Sequence, residues 1–219
     1  MGDTPDRHWM GPEPAGAARR VYLGILQALE AGKTVPGQRL VETDLAQEHS
    51  VGRNAVREAM QHLAVRGVVD LSPNRSPAIR RLDLAESLEV LEVAAAMIRL
   101  AAGTAARAYS SDHADMLESA LSDLEAADAS ADAAALNRAR RHFYRALLLI
   151  GGNRELQRLF PTIGMHIIHA QYPSPKIQAA RRVDYRRIAE AVVAGNPVAA
   201  EAAAEAHVEH VRDIIRTAT

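Results

Sequence analysis

Cysteine is absent from all 219 residues, which excludes disulfides, thiolate zinc sites and a cysteine nucleophile. The absence fits a reducing compartment, and a cytoplasmic protein is expected. No run of about eighteen apolar residues exists, so no transmembrane helix is expected. The first sixteen residues, MGDTPDRHWMGPEPAG, are polar and proline-rich and lack the apolar core of a secretory signal. They read as a flexible arm in which Trp9 is free to dock. The formal net charge of −1 excludes a uniformly basic nucleic-acid binder. Aromatic residues make up only 4% of the chain, and the abundance of alanine favours closely packed helices. Paired carboxylates, a nucleophile elbow, a phosphate loop and a Cys–His pair are all missing, so an enzyme is not expected. No repeat of fixed period is visible.

The charge that is present is unevenly placed. Residues 16–82 hold ten Lys and Arg against six Asp and Glu, and the remainder is net acidic. That asymmetry predicts a basic head on a separate domain. Within it, the stretch Gln47–Arg66 carries the main signal. A polar helix ends near Ser50, Val51-Gly52 breaks the chain, and a second helix opens at Arg53. Val56, Met60, Leu63 and Ala64 recur on one face at helical spacing, while Arg53, Asn54 and Arg57 fall near the start on another side. Such a helix can enter a DNA major groove, where Arg reads guanine and Asn reads adenine. An Arg-bearing amphipathic helix is also what an ordinary solvated surface helix looks like, so its neighbours decide. Helices are predicted over Ala17–Ala31, Leu40–Ser50 and Arg53–Arg66. Val68–Leu71 and Ala78–Arg81 read as strands flanking a turn over Ser72–Pro77. Three helices and a hairpin make a winged helix-turn-helix with Arg75 at the wing tip. Arg53, Asn54 and Arg57 are expected to reach bases, and Arg39, Thr43 and Arg75 to contact phosphate or the minor groove.

Pro36-Gly37, Leu40, Glu42, Leu45-Ala46, Arg53, Val56-Arg57-Glu58-Ala59, Leu63 and Gly67 stand in order. Together they resemble the DNA-binding domain of the GntR family of bacterial transcription regulators. The likeness runs over roughly residues 17–81. Gly52 stands where the family usually has Ser, Ala55 where it has Pro, Thr43 where Arg is frequent, and Ser76 where a wing Gly is frequent. These departures bear on the preferred operator rather than on the binding mode. The resemblance implies a DNA-binding regulator, usually a repressor, acting as a homodimer on a palindromic, double-stranded operator.

Beyond a short connection at Leu82–Leu84, everything reads as helix. The segments are Ala85–Tyr109, Ser111–Ala127, Ser130–Ile150, Arg154 to about Tyr172 with an irregularity at Pro161, Ile177–Ala194 and Val198–Thr217. About six helices and no strand predict an antiparallel bundle over residues 83–219. The expected fold is therefore mostly α, with a winged helix-turn-helix over 17–82 ahead of an all-α domain.

Phe143–Leu147 followed by Gly152-Asn153, and Ile188, Ala191, Gly195-Asn196 and Ala199-Ala200 followed by His207, resemble the FCD domain of the FadR-like branch of the same family. That resemblance implies an effector-binding and dimerising domain. Many such domains hold a divalent metal through Asp-x-x-Phe-His on one helix and one His on each of the last two. Here Arg140 stands at the Asp position, Tyr144 and Tyr185 stand at two His positions, and only His207 remains. A guanidinium cannot ligate a metal and a neutral phenol is a poor ligand, so neither metal nor other cofactor is expected. Arg140, Tyr144, Tyr185 and His207 offer instead one fixed positive charge and several hydrogen bonds, which suits a small organic acid. They could also simply satisfy one another in a core. His166 and His169, three apart on a neighbouring helix, are counted with this site, and with His207 they could form a displaced metal site. A helical interaction protein without DNA binding is the remaining rival, and it has no reason to carry a wing. No membrane partner is expected.

Overall fold

The structure is a computed structural model that describes residues 13–72, 76–130 and 132–218. Trp9 and nearly all of the N-terminal arm lie outside the described residues. The chain divides into two compact units.

The first unit holds α1 (Gly16–Glu30), α2 (Glu42–Glu48), α3 (Arg53–Val65), β1 (Val69–Asp70) and β2 (Ala78–Ile79). Helix α1 buries Val21, Tyr22, Ile25, Leu26 and Leu29, one apolar stripe at helical spacing. Helix α3 answers with Val56, Ala59, Met60 and Leu63. The wing pairs antiparallel, with Val69 opposite Ile79 and Asp70 opposite Ala78. The chain ahead of α2 departs from expectation. Arg39 bridges Ala78, Ile79 N–H donates to Gln38 O, and Leu40 N–H donates to Pro77 O. Residues 38–40 therefore line the wing as extended backbone, and α2 starts at Glu42 rather than at Leu40.

Helix α2 ends in a tight reversal. Ser50 N–H donates to Gln47 O and Val51 N–H to Ala46 O, with Ser50 at φ 51°. This is the paired-bond stop that usually places Gly in the left-handed position. Ser50→Gly is expected to stabilise the chain by about 0.5–1 kcal/mol without weakening DNA binding, as a raised urea midpoint at constant m-value would show.

One further helix belongs to this unit and not to the other. The predicted helix from Arg154 to Tyr172 is broken in two. Helix α7 (Arg154–Leu159) gives way to a 3-10 turn at Phe160–Thr162, Gly164 adopts φ 72°, and α8 (Met165–Gln171) follows. The segment Pro161–Gln171 groups by its packing with residues 1–83 rather than with the rest of the helical part. The ties are specific. Arg66, 5% exposed at the end of α3, donates through Nη1 to Tyr22 Oη at 2.6 Å. Its Nη2 lies 2.7 Å from His166 Nε2 on α8. The Gln171 amide accepts from Leu82 N–H at 3.0 Å and donates to Leu82 O at 2.7 Å.

The second unit contains α4 (Leu84–Ala108), α5 (Ala114–Ser130), α6 (Ala133–Gly151), α7, α9 (Pro175–Val193) and α10 (Pro197–Ala218). Helix α4 packs against α6, α9 and α10. Ala94, Ala101, Ala102, Ala105 and Ala106 are buried on it, and small side chains let helix axes approach closely. At Gly151 an added Cβ would meet Thr104 Oγ1 at 2.5 Å and Ala105 N at 3.1 Å. Side-chain oxygens of Asp132 and Asn153 cap α6 and α7, and Asn196 Oδ1 accepts from Ala199 N–H at the start of α10.

Candidate nucleic-acid interface and effector cluster

Arg53 and Asn54 open α3, and both are exposed, as are Arg39, Thr43 and Arg57. Gly52 supplies no side-chain cap, and the first N–H of α3 with a backbone acceptor is that of Ala55, which donates to Gly52 O at 3.0 Å. Arg57 is not idle. Its Nε lies 3.1 and 3.0 Å from the two Glu42 carboxylate oxygens, a pair that links α3 to the start of α2 and raises the pKa of Arg57. Exposed ion pairs of this kind are weak, so a guanine edge can take the guanidinium over. Thr43 Oγ1 bonds the neighbouring Asp44 carboxylate at 3.2 Å. Arg75, expected at the wing tip, lies outside the described residues.

In the second unit, α6, α9 and α10 bring Arg140, Tyr144, Tyr185 and His207 into one buried cluster, each no more than 4% exposed. Tyr185 Oη donates to Tyr144 Oη at 3.2 Å. The Tyr185 ring stacks on Phe143 at 4.7 Å and lies 4.8 Å from the His207 ring. The Tyr144 ring meets Phe160 at 5.3 Å. Burial, with a smaller contribution from Tyr185, pushes the Tyr144 phenol well up, so it stays neutral. Burial also depresses the Arg140 guanidinium, to about 10. The neighbours acting most on its charge are Tyr185, Arg181, Tyr144 and Arg141, and none is a carboxylate. Its Nε is buried without a hydrogen-bond partner among the described residues.

Two members were not read from the sequence. Arg181 and Asp184 on α9 are 8% and 3% exposed. Asp184 Oδ2 lies 3.1 Å from His207 Nδ1 and 3.1 Å from His210 Nδ1. Their spacing with Tyr185, three and four residues apart on one helix, was the available signal. It was masked because Arg-Arg-Val-Asp-Tyr-Arg-Arg looks like a solvated face. Burial pushes the Asp184 carboxyl up, but the bonds and charge of His207 and His210 outweigh it and hold it below its ordinary value. Burial holds the His207 pKa below 6.5, with the Arg181 charge reinforcing the shift and the Asp184 bond opposing it. The unfolded chain thus takes up a proton near pH 6.5 that the folded chain refuses. Stability from this group is complete above pH 6.5 and declines as the pH falls below it. The unfolding midpoint is expected to drop between pH 7.5 and 5.5, and to drop less in His207→Gln, which keeps a donor for Asp184 but does not titrate. An unchanged pH dependence in that variant would assign the proton elsewhere.

His166 and His169 do not join this cluster. Both sit on α8 in the first unit, because the break at Pro161–Gly164 sends that segment to pack on α1. The His166 ring is engaged by Arg66 and lies 3.9 Å from a Glu30 oxygen. The displaced site of His166, His169 and His207 is therefore not assembled. Among the described residues no group of three or more His, Asp or Glu is placed to hold a metal ion. The donors at the family's metal positions also do not fit one: a buried cation, two neutral phenols, and a histidine whose Nδ1 is committed to Asp184.

No helix is long and apolar enough to cross a membrane among the described residues. Residues 17–79 match the family of bacterial regulatory proteins called gntR, and residues 89–210 match the FCD domain. The chain is 24% identical over 188 residues to a Paenarthrobacter nicotinovorans protein named as a D-xylose utilization operon transcriptional repressor, covering 84% of this chain and 82% of that one. It is 24% identical over 211 residues to the regulator LutR of Bacillus subtilis, covering 85% and 95%. A solved Rhodococcus sp. RHA1 protein carrying the name transcriptional regulator GntR superposes with a TM-score of 0.77 at 22% identity, covering 92% and 98%. The chain belongs to the GntR family, in the FadR-like branch that joins a winged helix-turn-helix to an FCD domain, and is a DNA-binding transcriptional regulator rather than an enzyme.

Proposed function

We propose that this regulator acts in the cytoplasm as a homodimeric repressor, released from a palindromic operator by a small organic acid that binds at Arg140 without a metal. The observation that carries the reading is the guanidinium itself. Arg140 is 4% exposed, its Nε has no hydrogen-bond partner among the described residues, and no carboxylate is among the groups acting most strongly on it. An unpaired buried charge is costly, and an incoming carboxylate would supply the missing counter-charge and bidentate bonds. Tyr144, Tyr185 and His207 surround it with further polar groups. At the other end, Arg53, Asn54 and Arg57 read bases, while Arg39, Thr43 and Arg75 meet phosphate or the minor groove. Two protomers place two α3 helices on half-sites about one DNA turn apart.

The test is fluorescence anisotropy of chelator-treated protein on DNA flanking its own gene, with and without a panel of organic acids. Salt-sensitive binding that one acid releases, with no metal added, is the expected result. Linkage requires the reverse as well, so operator DNA weakens that acid's affinity by the same factor. Binding or release that depends on added zinc or manganese would overturn the metal-free reading.

A further inference from the structure

Helix α4 is apolar on more than the sides that its own unit covers. Leu91, Ala94, Ile98 and Ala105 are buried on it, and α6, α9 and α10 pack against it. On its remaining side Val93 is 52% and Leu100 is 42% exposed, and Ala96 is exposed between them. A helix that is apolar all round is normally enclosed all round. The open face also carries charge in a pattern. Glu92 and Arg99 are exposed on it. The helix dipole favours an acid in the first turn and a base in the last, but these two stand well inside the helix, where that effect has faded.

Helical geometry arranges the five residues about Ala96. A residue turns by about 100° and rises by about 1.5 Å. Val93 and Leu100 therefore lie about 60° and about 40° to one side of Ala96, and Glu92 and Arg99 lie about 40° and about 60° to the other. One flank of the face is apolar and the other is charged. A second copy of the face, turned end for end about a two-fold axis at Ala96, sets like flank against like flank. Val93 then stands beside Leu100 of the second copy, and Glu92 beside Arg99 of the second copy, each pair within about 1.5 Å of the same height along the helix. Parallel copies would instead set Val93 and Leu100 against Glu92 and Arg99, and would take charge out of water without a partner. Because the two halves of the face complement each other, its fitting occupant is another copy of the same chain.

We infer that the exposed face of α4 is the centre of the contact between two copies of this regulator, with the two helices antiparallel and crossing at Ala96. The inference rests on the proposed homodimer and adds to it the surface and the direction of packing. The small side chain of Ala96 lets the axes come close at the crossing. Val93 and Leu100 leave water on one flank, and two reciprocal Glu92–Arg99 pairs close the other and fix the register.

The experiment is sedimentation equilibrium of the full chain at low ionic strength, on the parent and on Glu92→Arg, Arg99→Glu and Ala96→Glu. All three positions are exposed, so the fold is expected to survive, and unchanged helical content by circular dichroism verifies this. Each variant sets like charges across the two-fold axis and is expected to weaken dimerisation by about tenfold or more. The decisive step is to mix Glu92→Arg with Arg99→Glu and weigh the products by native mass spectrometry. In that heterodimer every charge again meets its opposite, so it is expected to form with close to the parent's affinity although neither variant pairs well with itself. Variants that dimerise as tightly as the parent, or the two charge variants remaining monomeric when mixed, would overturn the α4 face while leaving the homodimer standing. A parent chain that is monomeric at micromolar concentration would overturn both.

Discussion

Arg57→Ala is expected to cost about a hundredfold or more in operator affinity and to leave the fold intact. The size follows from geometry and symmetry. A bidentate contact between Arg and a guanine edge typically discriminates by about tenfold to a hundredfold, and the proposed homodimer would lose two of them. The fold survives because Arg57 is exposed on α3 and its Glu42 partner lies at the surface end of α2. The informative comparison is between operator and scrambled DNA of equal length. If Arg57 reads a base, its loss collapses the difference between them, whereas Arg39→Ala, at a position proposed to meet phosphate or the minor groove, is expected to weaken both alike and to lower the salt slope. Glu42→Gln removes the pairing without removing the guanidinium, and should change operator affinity only a few-fold. Full operator affinity in Arg57→Ala would move the reading surface away from the start of α3.

Arg140→Met is expected to do two opposite things at once. It should raise the stability of the acid-free protein by on the order of a few kcal/mol, since burial depresses the guanidinium to about 10, well below its ordinary range. The sign is direct. At pH 7 the group is charged in both states, and the folded state is the one that holds it out of water. Methionine fills similar space with no charge to desolvate. The same substitution should abolish acid-dependent release from DNA, since it removes the guanidinium fork with which the acid is proposed to pair. Chemical denaturation and the anisotropy titration measure the two effects separately. A variant less stable than the parent would mean that Arg140 contributes to the resting fold, and the effector reading would lose its main support.

Much of this architecture was legible in the chain because it is local. Helix α3 announces itself through Gly52, the Arg-Asn opening and a four-residue apolar stripe, and it begins at Arg53 as read. The buried cluster was legible for another reason. Gly152-Asn153 and Gly195-Asn196 fix the frame of the helices against the family pattern, so Arg140, Tyr144, Tyr185 and His207 could be named together, and they do converge. What escaped depends on partners distant in sequence. Leu40 and Val41 stay out of the helix expected to start at Leu40, because residues 38–40 exchange backbone hydrogen bonds with the wing, and nothing beside them in the chain records this. Arg66, Arg181 and Asp184 are charged residues in charged surroundings, and only tertiary packing makes them buried. The seven residues of α8 are too few to reveal which unit they join.

The return of α8 has a consequence for how this regulator can be taken apart. Its reading head is not a transferable cassette. Cutting the chain after Asp83 would strip α1 of a packing neighbour, leave Arg66 facing solvent where His166 stood, and free both backbone groups of Leu82 that Gln171 now satisfies. A hybrid that joined residues 1–83 to a different sensing half would inherit that wound. To graft cleanly, the head must bring α8 with it.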